Sequence, residues 1–381
     1  MDFDGEYLFT SSPIDNELGF NHGSIERYRL GPGGFTREYR FLDTNLSFVG
    51  SGLRLTGDGR LLAGSGSSVA LLSGVYGSSW NVESQFSGQG IFANDIEVWE
   101  DEVFVSSPRL GTAPFNQKGQ VALFNLQPVG MTFGGFLVAP GPSVGPVIGD
   151  DFGSTLSIQG NRLYVGARLA WDPMTSAERG AAYVFKRSGG AWLPEYTLRP
   201  GGTCCAEASF GRSISVDGSR VFAGAPFEPR DGLTQVGSSY VFEIPFGNEL
   251  CHPTNVNSIG TQPVLRAYGS ATAQAQDLQF RAMGVPGSGI AMLLASDRPR
   301  DPQPVVASQG LLCLGGDVTR LAVGSVAHNL ATFSLDWGSS TSSGAALIVH
   351  AGAPVYYQAW YRDSNPHPTS NLTSAVKVAL D

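Results

Sequence analysis

Five copies of one β-hairpin pattern run through this chain, and a repeat of that size constrains the fold before any other property is weighed. The clearest copy reads Phe210-Gly211-Arg212-Ser213-Ile214-Ser215-Val216, then Arg220-Val221-Phe222-Ala223-Gly224-Ala225-Pro226, then Ser239-Tyr240-Val241-Phe242. A second begins at Phe152-Gly153, passes Leu163-Tyr164-Val165-Gly166-Ala167 and ends at Ala182-Tyr183-Val184-Phe185. Leu156-Ser157-Ile158 and Ile214-Ser215-Val216 alternate apolar and polar residues, the period of a half-buried strand. Turn residues follow this first strand at Gln159-Gly160-Asn161, Asp217-Gly218-Ser219, Asp58-Gly59 and Asp4-Gly5. They tolerate the positive φ of a tight hairpin.

A second strand then runs into small residues: Ser11-Ser12-Pro13, Gly64-Ser65-Gly66, Ser106-Ser107-Pro108, Gly166-Ala167-Arg168 and Gly224-Ala225-Pro226. Small side chains allow close backbone approach, and proline removes a ladder donor, so the strand stops there. The third strand is aromatic or aliphatic, as in Val121-Ala122-Leu123-Phe124 and Tyr183-Val184-Phe185. The fourth follows a Gly-rich hairpin, as in Gly189-Gly190-Ala191-Trp192-Leu193-Pro194-Glu195-Tyr196. The stops at 13, 66, 108, 168 and 226 recur every 42 to 60 residues. Four strands in a unit of roughly 40–60 residues is the grammar of a β-propeller blade.

The copies span approximately residues 1–43, 44–88, 89–140, 147–200 and 207–247, which makes 1–247 a propeller domain. The first copy opens on its second strand and the last ends on its third, eighteen strands in all. That count is not a whole number of four-stranded blades. It predicts a chain whose beginning is truncated; a five-bladed ring with one thin blade is the alternative. Residues 251–381 carry about eight short strands, among them Asp277-Leu278-Gln279-Phe280 and Ala346-Leu347-Ile348-Val349, at a turn spacing that predicts a β-sandwich. With 50 Gly, 15% charged residues and no sustained helical period, the fold class is all-β.

Phe152-Gly153 through Val184-Phe185, and Phe210-Gly211 through Val241-Phe242, resemble FG-GAP repeats, the blades of the integrin α-subunit propeller and of many bacterial surface proteins. The resemblance covers residues 1 to about 247 and is degraded in the first three copies, where Phe-Gly reads Phe48-Val49-Gly50 or Phe92-Ala93-Asn94. It implies extracellular adhesion, and related propellers usually close with seven blades. The last segment resembles a C-terminal sandwich module of secreted planctomycete-type repeat proteins. The matching features are Cys251, Leu312-Cys313-Leu314-Gly315-Gly316, Gln358-Ala359-Trp360-Tyr361-Arg362-Asp363 and Ser370-Asn371-Leu372-Thr373. That resemblance implies a stabilising, sorting or attachment role.

The net charge of −9 is scattered, without the basic stripes that nucleic acid or an anionic membrane surface requires. No window approaches the ~20 apolar residues of a membrane helix. No export signal is visible, and Met1 sits inside a repeat, so a secreted or cell-surface location implies a signal lost with the N terminus. Four cysteines allow three pairings. Cys251 and Cys313 are expected to staple the C-terminal segment, while Cys204 and Cys205 stand as either a vicinal bridge or two free thiols. With no histidine close to the cysteines, a metal site is not expected there.

Many FG-GAP blades carry an Asp-x-Asp-x-Asp-Gly calcium loop between their first two strands, and oxygen ligands at alternate positions are what Ca²⁺ demands. Here those turns are Gln159-Gly160-Asn161, Asp217-Gly218-Ser219 and Gly57-Asp58-Gly59, too short and too poor in carboxylates, so no cofactor is expected, with calcium as the alternative although its usual loop motif is absent. Asp150-Asp151 and the cluster Glu97, Glu100, Asp101 and Glu102 are the densest acidic spots. Paired carboxylates serve glycosidases, which gives a glycan hydrolase or lyase as the alternative to recognition; solvated strand ends are the plainer account. His22, His252, His328, His350 and His367 lie far apart, and no Gly-x-Ser-x-Gly elbow is present.

Loops between the second and third strands vary most in length and composition: 14–22, 110–118, 169–179 and 227–236. In a propeller such loops share one face, and variable loops on a rigid scaffold are where recognition sits. Phe115, Trp171, Asp172, Arg179, Arg230 and Asp231 are the candidate contacts for an extracellular protein or polysaccharide. A purely structural envelope component is the third reading.

Overall fold

The computed structural model describes residues 1–15, 23–43, 49–65, 67–88, 92–108, 118–140, 149–172, 174–201, 208–229, 233–251, 253–270, 277–287, 289–335, 353–364 and 367–379. Every regular element in them is a strand. Four successive sheets are four-stranded antiparallel meanders in chain order. They are β1 (Asp2–Phe3), β2 (Tyr7–Ser12), β3 (Ser24–Gly31) and β4 (Gly34–Phe41); then β5 (Val49–Leu55), β6 (Leu61–Ser65), β7 (Ser68–Ser73) and β8 (Asn81–Ser87). Next come β9 (Ile96–Trp99), β10 (Glu102–Ser107), β11 (Gln120–Leu126) and β12 (Met131–Leu137). The fourth holds β13 (Phe152–Gln159), β14 (Arg162–Ala167), β17 (Ala181–Ser188) and β18 (Ala191–Leu198), with a small ribbon β15 (Trp171–Asp172) and β16 (Ala177–Glu178) in its loop. The fifth has β19 (Ser213–Asp217), β20 (Arg220–Ala225) and β21 (Ser238–Glu243). This is a five-blade β-propeller arrangement.

One strand departs from the sequence reading. The first blade, expected to lack its first strand, has it as β1, with Asp2 opposite Phe9 and Phe3 opposite Leu8. Two residues are too few for alternation to register, which is why the pattern missed it. All four complete blades share a bulge between their third and fourth strands, at Arg27/Tyr28, Leu71/Leu72, Leu123/Phe124 and Val184/Phe185. An extra residue at that point bends the strand and increases the right-handed twist.

The Phe-Gly pair joins blades. At its start β13 leaves its own sheet: Phe152 lies opposite Ala167 and Leu156 opposite Val165, so three residues bulge across from one. Phe152 instead makes a parallel bridge to Gly119 of the third blade, its N–H donating to Lys118 O at 3.0 Å. Phe210 does the same to Gly180, donating to Arg179 O at 3.0 Å. Both rings are fully buried, each worth about 1.5–3 kcal/mol of apolar burial. Glycine suits the position after the ring because the chain turns into the left-handed region there, φ 89° at Gly153 and 82° at Gly211. A Cβ on Gly153 would also come within 2.7 Å of Gln120 O. In the degraded third copy Ala93 adopts φ 59° in glycine's place, and its N–H donates to Ser106 O at 2.8 Å. The joint survives the loss of the motif because one methyl is small enough.

Apolar clusters fill the spaces between successive blades. Phe9, Ile25 and Phe41 pack with Leu61, Leu72 and Trp80; Leu62, Val69 and Leu71 with Phe92, Val103 and Phe124; Phe104 and Val121 with Phe152, Leu163 and Phe185.

The chain divides into two compact units, Met1–Ser215 with Phe222–Tyr240, and Val216–Val221 with Val241–Asp381. The second contains β22 (Asn248–Leu250), β23 (Val264–Tyr268), β24 (Gln279–Met283), β25 (Gly289–Ser296), β26 (Pro299–Pro304), β27 (Leu311–Leu314), β28 (Thr319–Ala327), β29 (Leu330–Ser334), β30 (Val355–Ser364) and β31 (Pro368–Val378). The two facing sheets of the expected sandwich are not what the pairing gives. Eight strands form one antiparallel sheet in the order β22-β31-β30-β25-β28-β29-β24-β23, and β26-β27 is a separate hairpin. The sheet rolls until β23 approaches β31, where Leu265 N–H donates to Ser374 Oγ at 3.1 Å and Ser374 N–H to Pro263 O at 3.0 Å. Leu265, Phe280, Leu293, Phe333, Tyr357 and Tyr361 fill its interior.

Cys251 and Cys313 form the expected disulfide across 62 residues, a loop whose closure stabilises by about 4 kcal/mol in the chain-entropy treatment. Gln358, fully buried, ties the hairpin to the sheet. Its Oε1 accepts from Cys313 N–H at 3.0 Å, and its Nε2 donates to Leu311 O and Thr373 O, both at 2.8 Å.

Candidate functional site

The loop of the fourth blade between β14 and β17 is built around an ion pair. Trp171 lies opposite Glu178 and Asp172 opposite Ala177 in the β15–β16 ribbon. The Asp172 carboxylate accepts from Met174 N–H and Thr175 Oγ1, each at 3.0 Å, the geometry of an Asx turn. Arg179 Nη1 donates to Asp172 Oδ2 at 3.3 Å, and Nη2 donates to Gly201 O at 3.3 Å. At the neck, Arg179 and Gly180 N–H both donate to Ala170 O, at 3.3 and 3.0 Å. Burial pushes the Asp172 pKa up, but the Met174 and Thr175 donors with the charges of Arg199 and Arg179 outweigh it, and the net shift is downward.

The structure therefore brings Asp172 and Arg179 together and buries both, at 4% and 1% exposure. They hold the loop from beneath, and neither presents its side chain to a ligand as the sequence suggested. Trp171 is half-buried on the ribbon. Phe115, Arg230 and Asp231 lie outside the described residues, as do Cys204 and Cys205. What the loops do expose is apolar. Met174 at the tip of the fourth-blade loop is 92% exposed, and Phe227, Leu233 and Val236 of the fifth-blade loop are exposed too. Arg212 places its guanidinium 5.6 Å from the Phe227 ring centroid. The sequence reading singles out Trp171 and the charged residues of these loops and passes over Met174 and Leu233. The signal was present: an apolar residue amid turn formers has no core to enter.

Acidic side chains at the blade joints and in these spots have structural partners. Asp2 Oδ2 accepts from Leu55 N–H at 2.7 Å, and Asp95 Oδ2 from Leu156 N–H at 2.7 Å and Thr155 Oγ1 at 3.1 Å. Each carboxylate thus ties one blade to the first strand of the next. Glu102 pairs with Arg187 at 2.9 Å and accepts from Trp192 Nε1 at 3.3 Å; Asp151 pairs with Arg168 at 2.6 Å.

Glu97 differs. Burial pushes its carboxyl up to about 7 against the opposing charge of Arg54. The two groups lie 2.6 Å apart, yet the contact lacks hydrogen-bond geometry and the Arg54 side chain is 37% exposed. A guanidinium shared with water compensates a buried carboxylate only in part. Among the described residues no group of three His, Cys, Asp or Glu side chains is placed to hold a metal ion.

Residues 147–185 match the family described as FG-GAP repeat. These residues include the fourth-blade Phe-Gly joint and the loop after β14, so one blade of the five-blade arrangement carries an FG-GAP repeat. Comparison with curated proteins finds no match. Solved structures similar to this chain include a periplasmic gluconolactonase of Pseudomonas aeruginosa, PpgL, at 15% identity, covering 73% of this chain and 78% of that one, with a TM-score of 0.36. The N-terminal domain of Nup159 is 9% identical over 99% of this chain and 97% of its own, TM-score 0.35. PorZ, a bacterial surface component of the type-IX secretion system of Porphyromonas gingivalis, is 10% identical over 98% of this chain and 51% of its own, TM-score 0.36. At these scores the likenesses carry no argument about function.

Proposed function

We propose that this chain is a non-catalytic recognition protein of the cell surface or extracellular space, binding a protein or polysaccharide through its propeller loops. One observation carries the reading: the fourth-blade loop is preorganised on the buried Asp172–Arg179 pair while its Met174 tip stands 92% exposed. A loop fixed before binding loses little entropy on contact, and an apolar tip on a rigid base gains by desolvation. The Cys251–Cys313 disulfide fits an oxidising compartment. No helix among the described residues is long and apolar enough to cross a membrane. In this reading the C-terminal unit stabilises or anchors the propeller.

The test is an array of immobilised surface polysaccharides and extracellular-matrix proteins. A ligand retained by the native chain should be lost on Met174→Ser with Leu233→Ser, while the melting temperature holds. Retention by the double variant would exclude this loop surface. A second reading, catalysis on a glycan, is favoured by one observation, the Glu97 carboxyl held near neutrality as a general acid requires. Turnover of any glycan that disappears in Glu97→Gln would establish it in place of recognition.

A further inference from the structure

The joint between blades is a socket, and the fifth blade has one with no occupant among the described residues. In the fourth blade the socket consists of Gly166 and Ala167 at the end of β14, and Gly180 and Ala181 at the start of β17. Phe210-Gly211 fills it so closely that a Cβ on Gly180 would lie 2.7 Å from Phe210 N and collide with Phe210 O. A Cβ on Gly166 would collide with Gly211 O, and one on Gly211 with Ala181 O. The third blade repeats this: a Cβ on Gly119 would lie 2.6 Å from Phe152 N and 2.7 Å from Pro108 O.

By the shared grammar, the counterparts in the fifth blade are Gly224, Ala225, Pro226, Gly237 and Ser238. Gly237 keeps the left-handed φ of its equivalents, 80° against 75° at Gly119 and 87° at Gly180. Around it, however, the nearest atom to an added methyl would be Pro226 O at 3.1 Å, with no Phe-Gly backbone in reach. Beside it lies a cavity of about 700 Å³, lined by these residues with Arg212, Ser213, Val236 and Ser239.

We propose that this socket is a peptide-binding site for an extended segment of another polypeptide carrying an aromatic residue followed by glycine. Continuity with the occupied joints identifies the ligand. The socket offers a parallel bridging edge at Gly237, a small-residue floor at Gly224 and Ala225, and room for one ring. A glycine, or a residue no larger than alanine, is needed after the ring because the chain must turn at positive φ against the carbonyl of Ser238, as Gly211 turns against that of Ala181. The site is separate from the loop tips, so it stands whether or not they bind a ligand.

The probe is a capped peptide with the sequence of residues 208–213, Ala-Ser-Phe-Gly-Arg-Ser, titrated into the full chain and followed by backbone amide chemical shifts. Binding should perturb the amides of Ala225, Gly237 and Ser238. The peptides with Phe210→Ala and with Gly211→Val should each bind roughly ten- to a hundredfold more weakly, the range set by losing one buried ring. Val236→Asp, at an exposed lining position that leaves folding intact, should abolish binding, and Gly237→Val should do so by occupying the bridge. Met174→Ser should leave the peptide affinity unchanged, which separates failure of the socket from failure of the loop reading. Absence of binding, or binding indifferent to Phe210→Ala, overturns the proposal. So does a concentration-dependent dimer that Val236→Asp dissociates without any peptide binding, since that assigns the socket to a second copy of this chain.

Discussion

Removing the Arg179 guanidinium should loosen the fourth-blade loop by an amount its surroundings set. Arg179→Met keeps the length and apolar stem but takes the Nη1 donor from Asp172, 4% exposed, and the Nη2 donor from Gly201 O. Breaking a buried pair from one side costs about 3–5 kcal/mol in general. Here Asp172 retains the Met174 and Thr175 donors, so the expected loss is nearer the low end, about 3 kcal/mol. Asp172→Asn should cost a comparable amount by taking the carboxylate charge from Arg179. The double variant should then be less destabilised than the two singles summed, with a coupling of about 1–3 kcal/mol.

Guanidinium denaturation of the four proteins gives the cycle, and amide exchange at Met174 and Arg179 shows whether the loss is local. The pH dependence adds a sign. The Asp172 pKa is lowered on folding, so its contribution is present above the ordinary carboxylate range and is lost as pH falls through the folded value. Arg179→Met should flatten that acid limb. A coupling energy indistinguishable from zero, with exchange at Met174 unchanged, would refute the idea that this pair builds the loop.

Glu97 should show the opposite pH behaviour: with its folded pKa raised to about 7, stability declines as pH climbs from about 4.5 to 7 and is level above, a change of about 3 kcal/mol. Glu97→Gln should remove that slope and be the more stable protein at pH 8; parallel pH profiles for the two would contradict it. Gln358→Leu strands Cys313 N–H, Leu311 O and Thr373 O in the C-terminal unit, and should cost roughly 3 kcal/mol at about 1 kcal/mol per buried group. Amide exchange at Cys313 reads this directly, and unchanged protection there would show that Gln358 is not the tie.

What the sequence made legible was whatever lies within one blade. Phe152-Gly153, the tight turns and the small-residue stops are contiguous signals, and they predict the meander and its repetition. Pairings between distant segments were not legible. Arg54 and Glu97 meet from neighbouring blades, 43 positions apart in sequence, and nothing in either neighbourhood marks the partner. The C-terminal turn spacing gave strands but not their order: β22 pairs with β31, and β25 sits between β28 and β30. That order distinguishes one rolled sheet from two facing ones. Asp172 and Arg179 were located correctly as a loop's charged residues, but a charged residue reads as exposed until its partner is placed beside it. Seven residues apart along an irregular loop, the two carried no periodic sign of meeting.

The Phe-Gly joint bears on the order in which this chain matures during synthesis. The third and fourth blades are each finished by residues that leave the ribosome after them: β14 and β17 of the fourth blade stay uncapped until Phe210 and Gly211 emerge, a dozen residues beyond the end of β18 at Leu198. A nascent third or fourth blade therefore presents a glycine-floored notch that waits for the start of the next blade. An arrest of translation between Leu198 and Phe210 would hold the fourth blade with that notch open.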